Sequence, residues 1–160
     1  MTRASAPIVL IAAAFLTVGC SAASVSTVSP EESQKTLFAL LEKVQTRIGG
    51  DWVNEDSLSP RGCLLADGDE GVTFTGTRTL ADPQITEDDI DALVAYLGDE
   101  GFEAGKSGIG LFTDVLAVDP NDKTSFVEVR IGDQSTQLTG QAACAVGNIN
   151  DELERVKSEQ

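Results

Sequence analysis

The sequence predicts a two-layer α+β domain, with helices packed on one face of a mainly antiparallel four-stranded sheet. Three observations carry that prediction. Two segments repeat apolar residues at helical spacing between clear start and stop signals, and one threonine-rich segment alternates with period two. Three later extended segments are separated only by tight turns, and strands joined that closely must pair antiparallel. The predicted order is α-β-α-β-β-β, with a short charged tail at helical spacing.

The first helix opens at Ser29-Pro30-Glu31-Glu32. Ser29 suits the N-cap, Pro30 the first helical position, and Glu32 the acid of a capping box. Leu37, Leu40, Leu41, Val44 and Ile48 recur on one face until Gly49-Gly50 stops the run. A loop with Trp52 and Ser59-Pro60-Arg61-Gly62-Cys63 leads into residues 71–80, GVTFTGTRTL, a strand with Val72 and Phe74 inward.

The second helix takes Thr86 as N-cap, and Glu87, Asp88 and Asp89 complement its positive end. Ile90, Leu93, Val94 and Leu97 line one face, and Gly98 or Gly101 closes it. Residues 105–110, GKSGIG, lack the P-loop spacing and read as a flexible lead-in to a strand at 111–118. Asp119-Pro120-Asn121-Asp122 suits a type I turn. Residues 125–131 place Val127, Val129 and Ile131 on one face, and Gly132-Asp133 turns the chain into the strand 136–144. The tail carries Ile149, Leu153 and Val156 at helical spacing.

The N-terminal end carries an address. Arg3 precedes residues 8–18, eleven residues without a charge. A bilayer-spanning helix takes about 20 residues, so this run has the length of a secretory h-region instead. It ends in Leu16-Thr17-Val18-Gly19-Cys20, which resembles a bacterial lipobox, with Thr17 where leucine is preferred. The alternative is an ordinary small-residue cut after Ala23. On the lipobox reading, residues 1–19 are a signal peptide and Cys20 carries S-diacylglycerol and N-acyl groups. Residues 20–29 are then a flexible tether, 30–147 a single globular domain and 148–160 a charged tail. More than one buried chain gives stable anchoring, so the expected location is the extracytoplasmic side of the cell membrane.

Charge and side-chain chemistry exclude several activities. The 160 residues hold 11 basic and 26 acidic groups, and losing Arg3 with the leader leaves a mature net charge of −16. That balance argues against nucleic acid or anionic headgroups as partners. The chain has no histidine, which removes histidine triads, bases and metal ligands. Asp67-Gly68-Asp69-Glu70 and Asp119-Pro120-Asn121-Asp122 lack the later glycine and glutamate of a calcium loop and read as acidic turns. Asp88, Asp89 and Asp91 read as helix-start acids. With Cys20 acylated, Cys63 and Cys144 remain as an even pair in an oxidising compartment and are expected to form a disulfide. Two thiols are too few for structural zinc, and no cofactor or metal is expected.

Trp52, Pro60-Arg61-Gly62-Cys63, Gly71-Val72, Arg78 and Cys144 together resemble the LppA-like lipoproteins of actinobacterial envelopes, over about residues 48–147. The resemblance implies an envelope lipoprotein with a disulfide, supplies no catalytic residues, and marks Trp52, Arg61 and Arg78 as a shared structural feature. The expected role is a non-enzymatic binding or accessory protein whose partner is an envelope protein or small ligand. The alternative is a carboxylate-dependent hydrolase acting on envelope polysaccharide, which needs two acids converging in a cleft.

Overall fold

Capping chemistry starts the first helix where the sequence places it. The structure, a computed structural model, describes residues 28–159; the expected leader, Cys20 and the tether up to residue 27 lie outside the described residues. Ser29 Oγ accepts the Glu32 N–H at 3.2 Å, Pro30 fills the first turn, and α1 runs Pro30–Ile48. At α2, Glu87–Asp99, the box is reciprocal: Thr86 Oγ1 accepts the Asp89 N–H, and Asp89 accepts the Thr86 N–H at 2.9 Å. Gly101, with φ of 99°, lets the Phe102 N–H reach Leu97 O and close the helix.

Eight strands form one antiparallel sheet: β1 Trp52–Asn54, β2 Ser57–Leu64, β3 Glu70–Ala81, β4 Glu103–Ile109, β5 Phe112–Val118, β6 Phe126–Ile131, β7 Ser135–Gln141 and β8 Ala145–Val146. They occupy six columns. Both β1 and β2 pair along one side of β3, β7 and β8 along its other side, and β6, β5 and β4 follow as a meander. In β2, four residue steps from Ser57 to Arg61 face two steps of β3, a bulge that accommodates Pro60 on an edge strand.

Helix α1 packs on β3 and β7, α2 on β4 and β5, and α3, Ile149–Ser158, on β2. The core lies between sheet and helices: Phe74, Leu138, Val129 and Val115 from the strands meet Leu41, Val44, Leu93 and Leu97. The sheet makes room for α1 with two glycines in direct register, Gly76 opposite Gly140. A Cβ at Gly140 would lie 2.8 Å from Leu37 Cδ1 and 2.9 Å from Leu41 Cδ2. The bare face carries Thr77, Thr139, Glu128 and Leu116 in one cross-strand row.

Several expectations change. The sheet has eight strands, not four. The loop before Gly71 contains β1 and β2, and the glycine-rich lead-in is strand β4 itself. The strand expected at 136–144 ends at Gln141 as β7, and a separate two-residue strand, β8, follows beyond it at Ala145–Val146. The added strands β1, β2 and β4 lie on sheet edges and β8 is a two-residue piece, where pairing on one side suffices and no apolar alternation is required.

The α2 cap generates a pH dependence. Hydrogen bonds from the Thr86 hydroxyl, and then from its N–H, hold the Asp89 carboxyl below its ordinary value of 3.8, against a smaller opposing effect of burial. A depressed folded pKa stabilises above the unfolded value and loses that stabilisation as pH falls through the folded one. Asp89→Asn should therefore lower the urea midpoint at neutral pH and converge on the parent as pH falls below about 4, which flattens the acid limb of the stability profile.

Candidate functional site

Arg78 sits where alternation demands an apolar residue, and the fold builds a polar nest around it. Its neighbours across the sheet are Leu138, Val129 and Val115 in one continuous row. The residue is 1 % exposed. Its Nη2 and Nε donate to Asp56 Oδ2 at 2.8 Å and Oδ1 at 3.2 Å, a two-pronged pair. Its Nη1 donates to Gln45 Oε1 of α1, whose Nε2 donates to Asn54 Oδ1 at 2.8 Å. Trp52 stands beside this group: it pairs with Leu80, and its Nε1 donates to Gly49 O at 2.9 Å.

The three residues singled out by sequence therefore separate. Trp52 and Arg78 meet at the β1–β3 corner, whereas Arg61 is exposed on β2 opposite Thr73. Gln45, Asn54 and Asp56 complete the corner and carry no motif. The available signal was Arg78 itself, an inward charge that requires a carboxylate.

Cys63 and Cys144 are joined, with Cα atoms 6.0 Å apart, across Gly71 of β3. A Cβ at Gly71 would stand 2.7 Å from Cys144 Sγ and 2.8 Å from Ala145 O, so this position needs glycine for close approach. The acidic turn helps: Asp122 Oδ2 accepts the Cys144 N–H at 3.0 Å, and its Oδ1 accepts the Thr124 N–H at 2.9 Å. Asp119 and Asp67 likewise accept N–H groups two residues on. Among the described residues no group of three candidate ligands converges to hold a metal ion.

A cleft opens where the β7–β8 column is interrupted. Ser33 Oγ of α1 donates to Ala143 O at 2.7 Å, and Thr73 Oγ1 donates to Ala142 O at 2.7 Å. Between the start of α1, the β5–β6 loop and Phe102 lies a hollow of about 190 Å³, walled by Leu37, Leu40, Phe102 and Phe126. Three of its polar neighbours are engaged within the protein: Ser33 as above, Gln141 Nε2 with Thr124 O at 2.8 Å, and Asp119 Oδ1 with the Asn121 N–H at 2.8 Å. Glu32 and Asp119 are the carboxylates at its rim, Glu32 exposed and Asp119 half-buried. Val28 also lines it. Among the described residues, no helix is long and apolar enough to cross a membrane.

A second, shallower hollow lies between α1 and α2. There Arg47 stacks 4.9 Å over the Tyr96 ring and Lys43 binds Glu100 at 3.0 Å. Burial raises the Tyr96 hydroxyl, and the hydrogen bond from Lys43 holds Glu100 below its ordinary value.

No family model matches the chain, and no curated protein matches it. It is similar in fold to a solved structure, a DUF4853 family protein from Actinomyces odontolyticus. The two share 16 % identity with a TM-score of 0.52, covering 85 % of this chain and 76 % of that one.

Two substitutions test the corner and the bond. Arg78→Ala leaves Asp56 without its partner and should cost about 3 kcal/mol or more in denaturant unfolding, whereas Arg78→Met with Asp56→Asn should recover part of that loss. Cys63→Ala should leave one alkylatable thiol in the unreduced mature domain. The disulfide spans 81 residues, so chain entropy assigns it about 4.5 kcal/mol. The melting temperature should fall by about 10 °C or more in calorimetry.

Proposed function

We propose that this protein is a non-enzymatic binding or accessory protein of a bacterial envelope, lipid-anchored through Cys20 on the outer side of the cytoplasmic membrane. In this reading the cleft beside α1 is its binding surface, and the LppA-like pattern of Trp52, Arg61, Arg78 and the disulfide is a scaffold. The observation that carries the reading is the position of Val28. The chain enters the domain at the cleft wall, eight residues after Cys20. An extended run of that length reaches at most about 28 Å, which keeps the cleft close to the membrane surface. The acidic surplus, 26 carboxylates against 11 basic groups, supports a partner other than nucleic acid or anionic lipid.

The hydrolase alternative would have to use Glu32 and Asp119, since both stand in the cleft. Asp119 Oδ1 is already committed to the Asn121 N–H and the walls between the two acids are apolar, and the binding reading is preferred on that ground.

The anchor is tested by Cys20→Ala. The variant should leave the membrane fraction as a released species or accumulate there as uncleaved precursor. A mature-sized variant that fractionates with membranes as the parent does would overturn the lipid anchor.

A further inference from the structure

We infer that the cleft receives a large apolar side chain from a basic segment of a protein partner. The inference rests on the cleft being a binding surface and adds the chemistry of what it takes. The hollow can hold about one large side chain, at about 190 Å³, below the usual size for drug-like ligands. Its walls offer Leu37, Leu40, Phe102 and Phe126, while Ser33, Gln141 and Asp119 spend their hydrogen bonds inside the protein. An occupant therefore gains chiefly from leaving water and from contact with these walls, with the Thr36 and Ser125 hydroxyls as the remaining small polar groups of the lining.

The rim sets the sign of the flanking charge. Glu32 and Asp119 stand there, and no lysine or arginine is among the described residues that line the cleft. Lys123, on the same loop as Asp119, is bound to Glu103 at 2.8 Å. Beyond the rim, seven of the ten described cations already have carboxylate partners: Lys43, Arg78, Lys106, Lys123, Arg130, Arg155 and Lys157. The surplus carboxylates give the domain a negative field that attracts basic segments and repels anionic ones. An anionic amphiphile is disfavoured by the same rim, so the apolar group comes with cations beside it.

The test uses the full-length protein, isotope-labelled, in phosphatidylcholine nanodiscs, titrated by NMR with capped Lys-Lys-Phe-Lys-Lys. Shifts should concentrate at Leu37, Leu40, Phe102 and Asp119. Replacing the peptide's phenylalanine with alanine should weaken binding about tenfold or more. Glu32→Gln with Asp119→Asn should weaken it about threefold to tenfold and flatten its salt dependence; the asparagine keeps the acceptor that holds the loop. Thr36→Trp, an exposed residue at the cleft, should block binding with an unchanged melting temperature. Equal affinity for the alanine peptide would overturn the inference, as would shifts centred elsewhere. Contacts from phospholipid chains to Leu37 and Leu40 in the absence of peptide would give the cleft to lipid and overturn it too. A mature-sized Cys20→Ala variant that stays with membranes strikes only the location and leaves these outcomes readable.

Discussion

A guanidinium set among core side chains is the constraint on which this fold turns. The row Val115, Val129 and Leu138 runs straight into Arg78. Burying that charge alone would cost several kcal/mol, so the surrounding chain must supply anions and acceptors. Asp56 comes from the link between β1 and β2, Gln45 from α1, and Asn54 from β1 through Gln45. One side chain thus ties the helix layer, the sheet edge and the corner between them. A hydrophobe of equal size would hold none of those three in place. The two-pronged geometry explains why lysine is a poor substitute, because a point charge cannot satisfy both Asp56 oxygens and Gln45 at once.

The second organising feature is the break between β7 and β8. A continuous strand would present its backbone to β3 throughout. Here the chain departs after Gln141, and the departure is held by Ser33 on Ala143 O, Thr73 on Ala142 O and Asp122 on the Cys144 N–H. The disulfide then fixes the far side of the break to β2. The same departure leaves the cleft between α1 and the β5–β6 loop. Structural rigidity and the candidate binding surface therefore come from one local irregularity, bounded by a covalent bond and a carboxylate.

Legibility in the sequence followed burial. Helices α1 and α2 announce themselves because each buries one stripe and carries strong caps, and β3, β5, β6 and β7 alternate because one face meets the core. Strands β2, SLSPRGCL, and β4, EAGKSGI, are edges rich in glycine, serine and one proline. An edge strand is held by backbone pairing on one side, which leaves no side-chain pattern to read. The cysteine pair followed from counting, since an expected secretory leader that takes Cys20 leaves Cys63 and Cys144 with one partner each. The Arg78 nest was half legible: an inward arginine signals a missing carboxylate, but with 26 acids in the chain only the three-dimensional fold selects Asp56. The cleft was not legible at all, because its walls come from residues as far apart as Val28 and Ala143.

The charge distribution bears on the proposed membrane anchor. Most described cations are spent on individual carboxylates within the fold, as Lys106 is on Glu87 and Asp91 and Arg155 on Glu152 and Glu159. Such exposed pairs stabilise little, typically well under about 1 kcal/mol each. Their larger effect is subtractive: they remove positive charge from the surface field and leave the acidic surplus uncompensated. A domain charged in this way is repelled by an anionic surface over about one Debye length, some 8–10 Å at physiological salt. The proposed short tether from Cys20 would pull the other way. On the proposed lipid anchor, the domain would stand off the bilayer by less than its tether's reach, with the acidic cleft mouth near the anchored end. Such a gap would admit an extended cationic segment more readily than a second acidic domain, in keeping with the proposal of one apolar side chain flanked by cations.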